Sequence, residues 1–209
     1  MKTLAIDLST SRGSIALLDE TDVAAFEHWP NDRKNSALFF GQLQQIVQRC
    51  GLPDRIIVGL GPGSYAGTRI AVSTAIGLAA TTRCELLGYP SVAAIDSDAV
   101  DYAVIGDARR NSFFFVRISN RAVAGEFELH TAAELEDRIA GSDKDFPIVT
   151  SDLLPQFETR VEQRFPSAKV LGELANDAGR LFYRPPLEPI YLREPNVTIP
   201  KTIGVVKQV

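Results

Sequence analysis

Between Gly59 and Thr82 the chain reads GLGPGSYAGTRIAVSTAIGLAATT, and Arg69 is its one charge. A helix without a solvated charged side needs cover all round, so this stretch dictates what must pack around it. The glycines at its head admit two uses. Gly61, Gly63 and Ala66 fit the loose dinucleotide-loop spacing G-x-G-x-x-G/A, with Glu85 roughly twenty residues on, where a ribose-binding acid would stand. Against that, Pro62 removes an amide that could face a phosphate, and no Lys-Ser/Thr follows the last glycine as in a Walker loop. The plainer reading is a tight turn opening a buried helix over 64–81. Gly67, Ala71 and Ala75 repeat every four residues along it, a nearly side-chain-free face that a second backbone can approach.

The rest of the chain supplies ordinary material for that packing. Its 209 residues are 45% hydrophobic and 23% charged, enough for one large domain or two lobes sharing a hinge. A net charge of −4 argues against a broad electrostatic grip on nucleic acid. Cys50 and Cys84 are too few for a disulfide framework and suit a reduced, cytoplasmic protein. The opening MKTLAIDL meets an acid at Asp7, so a signal-peptide core is not expected, and the neutral run 70–82 is too short and too rich in Ala, Ser and Thr to span a bilayer.

Alternation and punctuation predict β-β-β-α-β-α-β and then a smaller αβ remainder from about residue 100. Strands are expected at 3–8, 14–18 and DVAAFEHWP, then a helix capped by Ser36 and running to Cys50 before Gly51 and Pro53. Phe39, Phe40, Leu43, Ile46, Val47 and Cys50 give that helix an apolar stripe. RIIVGL and CELLGYP flank the neutral helix as strands, and SVAAIDSDA reads as a short helix. DYAVIGDA, SFFFVRIS and GEFELH read as a second meander, followed by a helix at TAAELEDRIA with Thr131 and Glu134 as a capping box. FPIVTS is a strand, LLPQFETRVEQRF and GELANDAGRLFY are helices, and RPPLEPIYLREPNV is an irregular tail. Spacing reveals no internal repeat. Hairpin strands ahead of helical crossovers imply mixed sheets covered by helices.

Candidate chemistry is sparse. His28 and His130 stand about a hundred residues apart in no metal-ligand spacing, Ser64 lacks a G-x-S-x-G elbow, and both cysteines read as core. Asp107, Arg109 and Arg110 sit at a turn before three phenylalanines, and read as a hairpin with solvated or ion-paired arginines, or as an anchor for phosphate or an acidic partner. Asp7 ends the first strand ahead of Ser9, Thr10, Ser11 and Gly13. That turn resembles the first phosphate loop of the actin, sugar-kinase and Hsp70 ATPase superfamily, where an acid organises metal and turn amides meet phosphate; by itself it is a polar hairpin turn.

Four stretches, in order along the chain, carry a more specific resemblance: LAIDLSTSRGSIAL, GPGSYAGTRIAVSTAIGLA, GDARRNSFFF and PIYLREPNVTIPK. Together they resemble the TsaB (YeaZ) family, whose signature reads GPGSFTGLRIG…KGLA. Residues 120–185 follow that family in pattern alone, KNSALFF stands where HSE is frequent, and Ile76 stands where a lysine is common.

The resemblance implies an α/β, actin-like (ASKHA, ribonuclease H-like) two-lobe fold. An N-terminal lobe of 1–100, joined by a returning segment at about 186–209, would hold a smaller lobe of 101–185. It also implies a non-catalytic role in making threonylcarbamoyladenosine at the tRNA adenosine beside the anticodon. In that family TsaB pairs with the catalytic TsaD, which uses an adenylate made by TsaC, and the ATPase TsaE joins the complex. No cofactor is then expected on this chain alone, ATP, ADP and metal belonging to TsaD and TsaE, and tRNA is met indirectly. Helices 36–50 and 64–81 would form the partner face, with Phe39, Phe40, Leu43, Tyr65, Arg69, Val72, Ser73 and Ile76 as contacts and Asp7, Ser9, Thr10 and Ser11 as a vestigial phosphate loop. A homodimer of the isolated chain stays open, as does an ATP-dependent kinase or hydrolase using Asp7 and the turn 9–13.

Overall fold

The computed structural model describes residues 1–31 and 36–193. The expected cap by the Ser36 side chain and the tail from 194 to 209 lie outside the described residues. Strands β1 (Lys2–Asp7), β2 (Arg12–Asp19) and β3 (Asp22–Pro30) form an antiparallel meander. Helix α1 (Ser36–Cys50) then crosses to β4 (Arg55–Gly59), parallel to β1, and α2 (Tyr65–Thr82) crosses to β5 (Glu85–Tyr89), parallel to β4. The order is β3-β2-β1-β4-β5. Gly51, at φ +87, ends α1 in the left-handed conformation that a side chain resists.

The second sheet repeats the scheme. Strands β6 (Tyr102–Asp107), β7 (Phe113–Ser119) and β8 (Ala122–His130) form another meander, α3 (Ala132–Ala140) leads to β9 (Ile148–Thr150) parallel to β6, and β10 (Glu162–Gln163) lies parallel to β9. The order β10-β9-β6-β7-β8 matches that of the first sheet strand for strand. This is the actin-like arrangement of two mixed sheets, and the repeat is one of topology that residue spacing does not show. Thr131 caps α3 with the expected box, its hydroxyl accepting from Glu134 N while the Glu134 carboxylate accepts from Thr131 N.

Alternation along the strands sorts the core into three layers. Leu4, Ile6, Ile56 and Val58 point to α1 and α2 on the outer side of the first sheet. Ala5, Ala16, Leu18 and Ile57 point the other way, into a core shared with Val104, Phe114, Val116 and Ile118 of the second sheet. Helix α4 (Ala168–Leu174) lies within that shared core, and Ala103, Ile105 and Phe115 form the third with α3. The two lobes are therefore one packed body.

The late chain departs from expectation. LLPQFETRVEQRF keeps helical spacing at Leu154, Phe157 and Val161, all buried, yet forms a single 3-10 turn at Pro155–Phe157 before β10. Residues 151–161 are too few for a full helix and the return to a parallel neighbour. GELANDAGRLFY is not a helix either. Helix α4 begins earlier, at Ala168, and ends before Asn176, Asp177 and Gly179, which favour turns. Gly172 sits inside it because a Cβ there would come to 2.3 Å of Leu18 Cδ1. SVAAIDSDA gives one 3-10 turn at Ser91–Ala93. The chain rejoins the first sheet where Tyr183 pairs with Gly88, and Ile190 N donates to Leu60 O at 2.8 Å. Among the described residues no helix is long and apolar enough to cross a membrane.

Candidate functional site

The glycines of the opening motif hold a neighbouring backbone, and that backbone is the Asp7 turn. A Cβ on Gly63 would come to 2.0 Å of Ser9 O, and one on Gly67 to 2.1 Å of Leu8 O. One on Gly59 would come to 1.9 Å of Asp7 Oδ2. With side chains at these positions, β1 and the start of α2 could not meet. Ser64 N donates to Ser9 O at 2.6 Å, and the Ser64 hydroxyl caps α2 by accepting from Gly67 N.

The contact closes the turn. Asn31 Nδ2 donates to Leu8 O and Thr10 O, and Asn31 N donates to Ser11 O. Asp7 Oδ1 accepts from Ser9 N at 2.9 Å and from Ser9 Oγ at 2.7 Å. Asp7 is 1% exposed and its Oδ2 lacks a bond of full hydrogen-bond geometry. The Ser91 hydroxyl, which accepts from Gly61 N at 2.9 Å, lies on that side of the carboxyl. Burial raises the Asp7 pKa above the usual carboxylate value, and Ser91 and Ser9 pull it only partly back. Of the four vestigial-loop residues, Asp7 and Ser9 are thus buried against one another, Thr10 bonds Arg12 across its own turn, and Ser11 is exposed. The dinucleotide reading meets the same obstacle: Gly63 abuts a carbonyl, and Glu85 is paired with Arg55 at 2.7 Å and Arg184 at 3.0 Å.

Helix α2 answers the question of cover on one side only. Gly67, Ala71 and Ala75 are buried against their own sheet, so the backbone that approaches the small-residue stripe is the chain's own. The outward face carries Tyr65, Arg69, Ser73, Ile76 and Gly77, all exposed. Ser73 and Gly77 give this face its own small pair at a four-residue interval. Nothing lies within 4 Å of a Cβ on Gly77, nor on Gly41 of α1. An open glycine inside a helix costs about 1 kcal/mol relative to alanine, and among the described residues no contact calls for either one.

The other expected contacts divide. Phe39 is 1% exposed and stacks on Trp29, while its neighbour Phe40 is 48% exposed. Val72 is buried beside Ala71, and Leu43 is half-buried on α1. Phe39 and Val72 therefore belong to the core, as the side of each helix on which they fall requires. Tyr191, from the returning tail, packs on Tyr65 with ring centroids 5.4 Å apart and adds to the outward face. A tail tyrosine in a Pro-rich stretch carries no sequence signal for this position.

In the second lobe the equivalent turn is open. Arg109 N donates to Asp107 Oδ1 at 2.7 Å, the same bond that Ser9 N makes to Asp7, and the Arg109 guanidinium pairs with Asp107 at 3.0 Å. Arg109, Arg110 and Asn111 all have positive φ, and Asp107 N donates to Asp152 Oδ2. The ion-paired hairpin is what forms. His28 and His130 lie on the edge strands β3 and β8, and the described residues hold no group of three or more metal-ligating side chains. Between the lobes, Arg180 donates to Tyr89 Oη at 2.9 Å and to the carbonyls of Asn120 and Arg121 at 3.1 and 3.0 Å, tying β5 to the β7–β8 turn.

Set beside solved structures, this arrangement has close counterparts. YeaZ from Pseudomonas aeruginosa superposes with a TM-score of 0.68 at 20% identity, covering 91% of this chain and 99% of that one. The fold is that of YeaZ. A second Pseudomonas aeruginosa structure, an uncharacterized protein with similarity to peptidase YEAZ, gives 0.72 at 20% identity, covering 92% of this chain and 99% of that one. Residues 39–141 match the family model described as TsaD: tRNA N6-adenosine threonylcarbamoyltransferase. No curated protein matches the sequence. The resemblance to TsaB (YeaZ) seen in four stretches of sequence is thus met by both the family model and the YeaZ fold.

Proposed function

We propose that this chain is the non-catalytic TsaB subunit of a cytoplasmic tRNA threonylcarbamoyl transferase, and that it works by docking the TsaD subunit on α1 and α2. The observation that carries this reading is the outward face of α2. Its single charge is Arg69, it exposes Tyr65 and Ile76, and it keeps an open glycine at Gly77 that no contact among the described residues explains. A solvated helix gains nothing from this composition, whereas a helix covered by another protein does. Phe40 extends the face onto α1.

The closed Asp7 turn supports the same division of labour. A phosphate loop offers free amides and an accessible acid, and here the turn is filled by Gly63, Gly67, Asn31 and Ser91. Nucleotide and metal then belong to TsaD and TsaE, and tRNA to the assembled complex. A lasting interface of this type buries on the order of 1,500 Å² or more.

Two measurements test the reading. Co-purification with TsaD from the source cell should recover a stoichiometric complex, and loss of this chain should deplete threonylcarbamoyladenosine from tRNA. Titration of the isolated chain with ATP and magnesium should give neither binding nor turnover. Micromolar binding with turnover, in the absence of a partner, would favour an ATP-dependent kinase or hydrolase instead.

A further inference from the structure

The two lobes share a topology, but their outer sides are covered unequally. In the first sheet α1 leads into β4 and α2 into β5. In the second, α3 leads into β9, and the connection to β10 holds one 3-10 turn at Pro155–Phe157 where a second helix would stand. Between the end of α3 and this turn lies a cavity of about 400 Å³. Small-molecule sites fall in the range of about 300–1,000 Å³. The floor is apolar, made by the buried Ile139 and Phe157. Glu136, Lys144, Thr159 and Arg160 stand on its rim.

Arg160 is fixed by the chain and keeps donors to spare. Its Nη2 donates to Asp143 O at 2.5 Å and to Phe146 O at 3.0 Å, while Nε and Nη1 make no hydrogen bond among the described residues. Among the same residues neither Arg160 nor Lys144 forms an ion pair, and the Asp143 carboxylate accepts from Asp145 N at 3.1 Å instead. Nor are these cations spent on the end of α3. Its Asp137, Arg138 and Ile139 carbonyls already accept from Gly141 N, Ser142 Oγ and Ser142 N. A guanidinium held in place loses little freedom when a ligand arrives. We propose that this cavity binds a small organic monoanion, a carboxylate carried on an apolar body. The body lies on Ile139 and Phe157, and the carboxylate meets Lys144 and Arg160. Charge sets the class: two cations and one acid, Glu136, suit a single negative charge and work against inorganic phosphate or a nucleotide. The proposal is independent of the docking role, because α1 and α2 contribute nothing to this cavity.

The test titrates the full, isotope-labelled chain with 3-phenylpropionate, with the neutral 3-phenylpropanol and with inorganic phosphate, read by the backbone amide signals. 3-Phenylpropionate should shift the signals of Ile139–Lys144 and Gln156–Arg160 with a dissociation constant below about 1 mM. The alcohol should bind at least tenfold more weakly, and phosphate should leave these signals in place. Lys144 is exposed, so Lys144→Glu should keep the melting temperature while weakening the carboxylate at least tenfold, and Lys144→Arg should retain binding. Equal binding of acid and alcohol, or phosphate shifting the same signals, would overturn the monoanion. Shifts confined to other residues, or an unchanged affinity in Lys144→Glu, would remove the site from this cavity. If 3-phenylpropionate binds nowhere at millimolar concentration, the proposal fails.

Discussion

The carbonyl oxygen of Leu8 lies where a Cβ on Gly67 would come within 2.1 Å of it. The oxygen is backbone and the backbone of residue 67 fixes where its Cβ stands, so no side-chain rotation relieves the clash, and β1 must part from α2. Gly67→Ala should lose about 2 kcal/mol or more of stability. Gly77→Ala, on the same helix with open space around it, should gain about 0.5–1 kcal/mol from helix propensity. Urea denaturation of the two variants checks this; equal shifts of the same sign would refute the assignment of inner and outer faces.

Phe39 and Phe40 are neighbours with opposite duties. Phe39→Ala opens a cavity beside Trp29 and Ile46 and should cost about 3–5 kcal/mol. Phe40→Ala should leave folding within about 0.5 kcal/mol of wild type. The same change should weaken association with the partner by about 2 kcal/mol, read by calorimetry.

The buried carboxyl of Asp7 gives stability a pH dependence whose sign is fixed by its surroundings. Its pKa is raised in the folded chain, so the fold holds the proton more tightly than the unfolded chain does. The contribution is complete below the ordinary value of 3.8 and is lost as the pH rises through the higher folded value. Asp7→Asn keeps an oxygen for Ser9 N and places an amide toward Ser91. Its melting temperature at pH 7 should equal or exceed that of wild type, and the decline in stability between pH 4 and neutrality should flatten. A steeper decline in Asp7→Asn would contradict the sealed turn.

Arg180 ties the lobes through bonds that one mutation removes together. Arg180→Ala leaves the carbonyls of Asn120 and Arg121 without their charged donor and should cost about 3 kcal/mol, while Tyr89→Phe should cost about 1 kcal/mol. Because the lobes share a core, unfolding of the wild type and of both variants should remain a single transition by fluorescence and circular dichroism.

Much of this was legible in the sequence where local chemistry and tertiary packing agree. The first meander, both long helices, the second meander and the Thr131 capping box follow from alternation, helical period and turn residues. Local pattern misleads where packing outweighs it. Leu154, Phe157 and Val161 have helical spacing in a connection too short for a helix, and Gly172 marks a close contact inside α4 rather than its boundary. At the site, small residues on α2 mark close approach, but two such rows run along the helix. Gly67, Ala71 and Ala75 serve the chain's own sheet, while Ser73 and Gly77 look outward, and only the position of β1 distinguishes them. The closure of the Asp7 turn depends on Asn31, Gly59 and Ser91, three residues far apart in sequence and unremarkable singly.

Helix α4 arrives late in the chain, and this bears on how the protein is made. Ala5, Ala16 and Leu18 leave the ribosome early, yet the helix that covers them is not complete until Leu174 follows. At about 5–20 residues per second the inner side of the first sheet waits roughly 10–30 s without its lid. Truncation before α4 removes the helix packed on that side and leaves the second sheet alone to share the core, so a chain cut there should not form a smaller working lobe.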